Sequence, residues 1–322
     1  MRTSSKALIA LAVCLLAARL LVVKVLWSSE QRFEAEYEGV QAATTGLFTY
    51  ESPLPPSWQH ISDKSKRRWS KLPAGVIDFR EAAQLALWKE LVAADYLAEA
   101  GATALCTDVG NMYPNLDRVF LYAFLRHAKP ARLIEIGSGE STTVAAAALK
   151  ANGNAKGSGG KPAEHTCIEP YRANEVPAGP KVEQTEMQEL SMSFFDVLQA
   201  GDVLFIDSSH VSRPYGDTLT ELLYVLPRLS TGVLVHIHDI FLPYGYAGIY
   251  GTHRQEYIYT EQQSLALMLT GGSRDWEVVF GTFQMNKEHP DEVLKMPHYP
   301  KQKPNGGSLW IRKIGKPIRN VE

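Results

Sequence analysis

The stretch Glu135-Ile136-Gly137-Ser138-Gly139-Glu140-Ser141 decides the fold of this chain, because it ends an apolar run and leads into a helical pattern. The residues before it, Arg132–Ile136, predict a β-strand, and Ser141–Leu149 predicts the helix that follows. The two glycines permit a sharp turn and let a ligand approach the backbone closely. The full G-x-G-x-x-G dinucleotide motif is absent, because Thr142 stands three positions after Gly139. Taken alone, the turn is more typical of an ordinary strand–helix connection, and nucleotide-like binding is the alternative.

Short apolar runs alternate with helical stretches along the rest of the chain. The further predicted strands are Thr166–Ile168, Val182–Thr185, Asp202–Ile206, Gly232–Ile237, Trp276–Phe283 and Ser308–Ile314. The further predicted helices are Phe79–Ala100, Asp117–His127, a stretch around Phe194–Leu198, Thr218–Leu226 and Gln262–Leu269. This alternation predicts an α/β fold, a doubly wound parallel sheet with helices on both faces. The last two strands have no predicted helix between them and add an antiparallel edge.

The composition is that of a globular protein. The 322 residues correspond to about two domains at roughly 150 residues each, and 45% hydrophobic with 21% charged residues exclude a largely disordered chain. The formal net charge is −2, so nucleic acid is not an expected partner. The three cysteines, Cys14, Cys106 and Cys167, form neither a disulfide framework nor a zinc-ligand spacing. Cys106 and Cys167 are predicted to be buried thiols without a catalytic role.

The first 27 residues differ from all that follow. Basic residues precede an apolar segment, Ala7–Trp27, that is just long enough to cross a bilayer. We therefore expect a single-pass N-terminal membrane anchor, with a cleaved signal peptide or an organelle transit peptide as alternatives that would make the protein secreted or organelle-targeted. The predicted organisation is a hydrophobic segment 1–27, a linker 28–72, a helical extension or substrate cap 73–129, and an α/β domain 130–322.

Polar side chains follow the predicted strands at their carboxyl ends, where open α/β sheets bind ligands. Glu169 follows the second strand, where an acid can accept hydrogen bonds from both hydroxyls of a ribose. Asp207 and His210 follow the strand 202–206, and His238 with Asp239 ends the next strand. We expect the last four side chains to converge at one edge of the sheet.

Four segments taken together resemble the class I S-adenosylmethionine (SAM)-dependent methyltransferases. They are Glu-Ile-Gly-Ser-Gly-Glu-Ser at 135–141, Ile-Glu-Pro-Tyr at 168–171, Leu-Phe-Ile-Asp-Ser-Ser-His at 204–210 and Val-His-Ile-His-Asp-Ile-Phe at 235–241. They are most similar to a bacterial subgroup with an N-terminal helical extension and a histidine-rich fifth strand, and the resemblance covers about 73–312. It implies a Rossmann-like, doubly wound seven-stranded sheet with an antiparallel last strand, so that 130–322 is a methyltransferase domain.

The resemblance also implies which residues bind SAM: Glu135, Gly137, Ser138, Gly139, Ser141, Glu169, Gln188 and Asp207. Within this set the residues at 137–139 would face the methionyl part, Glu169 would hold the ribose, and Gln188 would lie near the adenine. The sequence departs from many members at Ser141, where they have a third glycine. It departs again in a flexible Gly-rich insertion, Asn152–Pro162, before the second strand.

The implied activity is methyl transfer to a hydroxyl oxygen of a small-molecule or glycan acceptor, and two mechanisms are open. Either His210 or His238 is a general base, with His210 favoured because the preceding Ser208-Ser209 turn can bring it over the cleft. Alternatively, Asp207, His238 and Asp239 hold Mg²⁺ or Mn²⁺, which orients and acidifies the hydroxyl. His236 is predicted to be a core histidine.

Two other functions and one loop complete the expectations. An NAD-dependent oxidoreductase is disfavoured by the missing third glycine, and a membrane-tethered, non-catalytic SAM-binding protein is the alternative that is not an enzyme. The aromatic and glycine-rich segment 241–250 is expected to form either a lid over the cleft or a packed surface loop.

Overall fold

The computed structural model of the protein describes residues 62–103, 113–154, 163–171, 179–246, 259–296 and 306–319. The predicted anchor 1–27 and most of the predicted linker 28–72 lie outside these residues, so both stay predictions. Across the described ranges, no helix has the length and apolar character needed to cross a bilayer. The predicted division into an extension at 73–129 and a domain at 130–322 also stays a prediction.

A seven-stranded sheet organises the described residues. Its strands are β1 Arg132–Ile136, β2 Glu164–Ile168, β3 Lys181–Glu183, β4 Val203–Ile206, β5 Leu234–Ile237, β6 Trp276–Gly281 and β7 Leu309–Lys313. Their order is β3-β2-β1-β4-β5-β7-β6, in which β1 to β5 are parallel and β7 is antiparallel to both neighbours. The predicted fold class is therefore confirmed. The strand order reverses between β1 and β4, and such a reversal opens a crevice at the carboxyl ends of these strands.

Helices cover the sheet on both faces. The α-helices are α1 Asp63–Ser70, α2 Glu81–Ala93, α3 Tyr96–Ala102, α4 Asn115–Ala128, α5 Glu140–Asn154, α6 Asp217–Thr220, α7 Leu226–Arg228, α8 Glu261–Leu269, α9 Thr282–Glu288 and α10 Pro290–Leu294. A π-helical turn, Glu221–Val225, joins α6 to α7, and 3₁₀ turns form at Met187–Glu189 and Met192–Val197.

Two apolar layers hold the helices to the sheet, because successive side chains on a strand point to opposite faces. On one face, Leu133, Val203 and Phe205 pack against α2 to α5. On the other face, the neighbouring strand residues, such as Ile134 and Leu204, pack against the helical segments from Met192 to Leu269. The central strands β1, β4 and β5 are buried on both sides, which explains their largely apolar sequences.

Three local predictions are wrong. The predicted strand Trp276–Phe283 ends at Gly281, where the amide donates to the buried Gln84 side chain and Thr282 begins α9. Helices α9 and α10 therefore lie between the last two strands, where no helix was predicted. The predicted helix Phe79–Ala100 is divided in two at Asp95, whose φ of +61° stops α2 before α3 begins.

Candidate functional site

The turn at 137–139, called the glycine turn below, follows β1 directly. Gly137 has a φ of +91°, a conformation that favours glycine, and a Cβ atom there would collide with the backbone carbonyl of Asp207. The Gly137 amide donates to the Ile168 carbonyl at 2.9 Å, and the Asp207 amide donates to the Ile136 carbonyl at 3.0 Å. A Cβ on Gly139, in contrast, would meet no atom within 4 Å. The turn is thus anchored on one side and open on the other, as a cofactor cradle must be.

Glu169 lies beside the glycine turn. Its Oε2 accepts hydrogen bonds from the Ser138 amide at 3.1 Å and the Ser138 hydroxyl at 3.2 Å, while Oε1 accepts from the Tyr171 amide at 2.9 Å. An ionised carboxylate has about four acceptor positions, so capacity remains for a further donor. The structure therefore brings together the acid and the turn that the sequence analysis paired.

Glu135 and Ser141 are buried near the turn. The Glu135 Oε2 accepts from the Thr142 hydroxyl at 2.6 Å, and that hydroxyl accepts from the Gly139 amide at 3.0 Å. Glu135 therefore supports the turn from beneath, through Thr142. Its predicted contact with SAM stays a prediction.

Gln188 lies further along the sheet, in the 3₁₀ turn that follows β3. It is half-buried, and its amide donates to Glu186 Oε2 at 2.6 Å. The place beside the adenine that was expected for Gln188 stays a prediction.

Asp207, His210, His238 and Asp239, called the strand-end cluster below, meet at the carboxyl ends of β4 and β5. Asp207 Oδ1 lies 3.2 Å from His210 Nε2 and 3.3 Å from His238 Nδ1. The Asp239 carboxylate approaches the same two nitrogens at 3.7 and 3.8 Å. Both imidazoles are buried, while the side chains of Asp207 and Asp239 are 35% and 20% exposed, so the carboxylates border solvent.

His210 is held from two sides. Its φ is +59°, and its carbonyl accepts from the Thr260 and Glu261 amides at 2.9 and 3.0 Å. Its Nδ1 lies 2.7 Å from the buried carboxylate of Glu261, the first residue of α8. Burial alone would lower the pKa of His210, but the hydrogen bonds and charges of Asp207 and Glu261 raise it to about 10. Glu261 was not predicted as part of this site, because no local pattern relates the start of α8 to the end of β4.

His238 rests on residues of the predicted helical extension. Its Nε2 lies 3.7 Å from Asp117 Oδ2, and the Tyr113 ring lies 4.9 Å from the imidazole. Asp117 is buried on α4 and accepts from the Gly307 amide at 2.8 Å and from the Thr282 hydroxyl. Burial would lower the pKa of His238, but the Asp207 and Asp117 carboxylates raise it well above its usual value. Asp117 and Tyr113 were not predicted as parts of this site.

The surroundings also shift the pKa values of Asp207 and His236. Burial would raise the pKa of Asp207, but the neighbouring imidazoles of His238 and His210 outweigh it and hold that pKa below its usual range. His236 stacks on Phe205 with 4.1 Å between ring centroids, and burial lowers its pKa well below the usual value. It lies in the core, as predicted.

The strand-end cluster is compatible with a divalent metal ion. Ligand atoms of Asp207, His210 and His238 lie within 4.8 Å of one another, and Asp239 adds a second carboxylate. Mixed imidazole and carboxylate donors suit Mn²⁺ and similar ions, whereas Mg²⁺ prefers oxygen alone. The predicted set was Asp207, His238 and Asp239, and this geometry adds His210. The alternative is that the cluster holds no metal ion and that protons on its two imidazoles balance the charges of its two carboxylates.

The described half of the aromatic segment, 241–246, is packed. The Gly245 amide donates to the Ser70 carbonyl at 3.0 Å, and the Phe241 ring lies 5.2 Å from that of Phe283. Residues 247–250 lie outside the described residues.

A cavity of about 470 Å³ lies elsewhere, between α2, α4 and the sheet, and is bordered by Arg80, Phe124 and Arg312 among others. None of its lining residues belongs to the strand-end cluster.

Comparison with known proteins identifies the class of the domain. Residues 134–240, from β1 to just past β5, match a family model described as a methyltransferase domain. The match spans less than half of the chain, and it agrees with the sheet order, with the glycine turn and with the methyltransferase resemblance found in the sequence. A search of curated proteins gives no match.

The chain is also similar to solved structures. One is a methyltransferase from Podospora anserina bound to SAH, with 16% identity, 82% of this chain and 99% of that chain covered, and a TM-score of 0.38. Another is an O-methyltransferase from Bacillus cereus in complex with SAH, with 12% identity, coverages of 71% and 91%, and a TM-score of 0.38. A third is an O-methyltransferase of tomaymycin synthesis from Streptomyces achromogenes in complex with SAM, with 14% identity, coverages of 78% and 95%, and a TM-score of 0.37. Because these values are low, the assignment rests on the family match and the topology.

Proposed function

We propose that this protein transfers the methyl group of SAM to a hydroxyl oxygen of a small-molecule acceptor, with a divalent metal ion held by the strand-end cluster. The observation that carries the proposal is the adjacency of that cluster to the glycine turn. The Asp207 carbonyl lies against Gly137, so the cofactor cradle and the cluster share one backbone contact. A methyl donor held at the turn is thereby within reach of an acceptor held at the cluster.

In this proposal, backbone groups of the glycine turn and of the start of α5, together with the Glu169 carboxylate, bind and orient the cofactor. The open face of Gly139 and the amides at the start of α5 suit the methionyl part, and Glu169 has acceptor capacity for a ribose hydroxyl. When bound, SAM supplies an electrophilic methyl group. The contribution of these residues is to hold the acceptor oxygen, the methyl carbon and the sulfur in line, which removes most of the entropic barrier.

Of the two mechanisms open from the sequence, the geometry favours the metal. Both nitrogens of His210 face carboxylates, Asp207 on one side and Glu261 on the other, so His210 presents no free nitrogen to an acceptor. His238 directs Nδ1 at the same Asp207 oxygen and Nε2 towards the interior. The two imidazoles, arranged around the partly exposed Asp207 carboxylate, are better placed to bind a metal ion than to remove a proton from an acceptor hydroxyl. A bound ion there would acidify the acceptor hydroxyl and orient its oxygen.

Metal removal tests this proposal. Chelator-treated protein should bind SAM in calorimetry but transfer no labelled methyl group to a panel of sugar and phenolic hydroxyl compounds, and Mn²⁺ should restore transfer. Asp239→Asn should lower transfer without changing SAM affinity. Full activity after chelation, followed by a turnover loss of about 10²–10⁴-fold in His238→Ala or His210→Ala, would favour the histidine base instead. SAM binding without transfer to any acceptor would support the non-catalytic alternative.

A glycan acceptor and a membrane anchor extend this proposal. The segment 241–250 is rich in aromatic side chains, the type that stacks on sugar rings, so a sugar is among the acceptors to be tested first. The apolar sequence of residues 1–27 supports attachment of the domain to a membrane. Fractionation of the full chain between membrane and soluble pools, compared with a chain that begins at Ser28, tests the anchor.

A further inference from the structure

A second group of ligand-type side chains lies beneath the glycine turn. Glu135 of β1 pairs in register with Cys167 of β2, and His165 precedes Cys167 by two residues, so the three side chains share one face of the sheet. This face is covered by α5, whose Thr142 donates to Glu135. We call these three residues the sheet-face cluster. The proposed methyl transfer uses neither His165 nor Cys167.

The three ligand atoms form a compact triangle. Glu135 Oε2 lies 3.3 Å from Cys167 Sγ and 3.5 Å from His165 Nε2, and the sulfur and nitrogen are 3.9 Å apart. Tetrahedral zinc, with bonds of about 2.3 Å to sulfur and about 2.0 Å to nitrogen and oxygen, places its ligands about 3.3–3.6 Å from one another. The sheet-face cluster therefore surrounds a zinc-sized position after shifts of a few tenths of an ångström.

Burial supplies an independent indication. The Glu135 side chain is fully buried, and its Oε1 has no hydrogen-bond partner among the described residues. A buried carboxylate with an unpaired oxygen is costly, and a cation bound at its Oε2 would offset the buried negative charge. Cys167 is also fully buried, while the His165 side chain keeps 6% of its surface exposed.

We propose that Glu135, His165 and Cys167 bind a zinc-class metal ion, at a site separate from the strand-end cluster. The donor set of one thiolate, one imidazole and one carboxylate is selective for zinc over Mg²⁺ or Ca²⁺, which avoid sulfur. Three protein ligands leave a fourth position for water. The thiol proton of Cys167 passes to solvent when the ion binds. Because Glu135 also holds Thr142, and Thr142 holds the Gly139 amide, the ion would brace the glycine turn.

Cobalt substitution tests the site, because Co²⁺ takes zinc positions and absorbs in the near ultraviolet when a thiolate binds it. The full-length chain is stripped with chelator and titrated with Co²⁺ in the absence of air and added thiol. We expect a thiolate-to-cobalt band whose intensity at saturation corresponds to one cobalt–thiolate bond per chain, and which is lost in Cys167→Ser and kept in the matched control Cys106→Ser. The strand-end cluster offers only oxygen and nitrogen ligands, so Co²⁺ bound there gives no such band.

A second variant covers the case in which Cys167→Ser does not fold, as judged by circular dichroism. His165→Asn changes the most exposed of the three ligands and should weaken Co²⁺ binding by about tenfold or more, the loss typical of removing even an outer partner of a ligand. X-ray absorption of the zinc-loaded chain should show one sulfur at about 2.3 Å. Absence of the band in the unmodified chain, or its persistence in Cys167→Ser, would overturn the proposal and leave a hydrogen-bonded network.

Discussion

Replacing each of the two glycines of the glycine turn by alanine should have a different effect, a loss of stability at Gly137 and a loss of SAM affinity at Gly139. Gly137 has a φ of +91°, and its added Cβ would collide with the Asp207 carbonyl. A non-glycine residue in such a conformation costs on the order of 1–3 kcal/mol of strain, and relief of the collision must separate β1 from β4. Gly139 has no such φ, and its added Cβ would enter open space.

The expected magnitudes follow from these environments. Gly137→Ala should lower the free energy of unfolding by about 2–4 kcal/mol, as the sum of backbone strain and overpacking. Gly139→Ala should change it by no more than about 1 kcal/mol, since the backbone there tolerates a side chain. The same Cβ occupies the proposed cofactor cradle, so Gly139→Ala should weaken SAM binding by about tenfold or more, equivalent to about 1.4 kcal/mol.

Urea unfolding and calorimetric titration with SAM separate the two effects. Each variant is its partner's control, because both add one methyl group within three residues of chain. The reasoning would be refuted if Gly137→Ala were as stable as the unmodified protein. It would also be refuted if Gly139→Ala bound SAM with unchanged affinity, because the open side of the turn would then not be the cofactor cradle.

Three further substitutions test the surroundings of the site. Glu169→Ala should weaken SAM binding by roughly 2–3 kcal/mol, because charge-assisted hydrogen bonds to the ribose are lost. An unchanged calorimetric affinity would show that Glu169 does not hold the ribose. Glu261→Gln should lower the Mn²⁺ affinity of the strand-end cluster by about 10–100-fold while SAM affinity stays constant, and activity should return at high Mn²⁺; failure of that rescue would contradict a positioning role. Asp117→Ala leaves the Gly307 amide and the Thr282 hydroxyl without their buried acceptor and should cost about 2–4 kcal/mol in urea unfolding, whereas a cost below 1 kcal/mol would refute the network.

The elements that local pattern defines were predicted closely. The strand Arg132–Ile136 has the predicted bounds, and β2, β4, β5 and β7 lie within a few residues of theirs. The rule that ligands bind at the carboxyl ends of parallel strands then placed Glu169, Asp207 and His238 correctly with respect to the sheet. Both results depend on short-range features, the apolar runs and the residues that end them.

The elements that depend on distant contacts were missed. Helix α9 begins where a strand was predicted to continue, because Gln84 and Asp117, far away in the chain, take the Gly281 amide and the Thr282 hydroxyl. Asp95 adopts a left-handed conformation that the helical periodicity of 79–100 does not reveal. A pattern of apolar residues carries no information about which remote side chain will accept a given hydrogen bond.

The sequence by itself determined the fold class of this protein, since the glycine turn, the acids after the strands and the alternation of strands with helices are all local. Only the tertiary structure decided how the charges are arranged. Glu261 reaches His210 because α8 begins beside the end of β4, and Asp117 reaches His238 because α4 packs over the sheet. Glu135 meets Cys167 because β1 and β2 pair in one register. Such partners are set by packing and strand register, which arise only when the whole chain has folded.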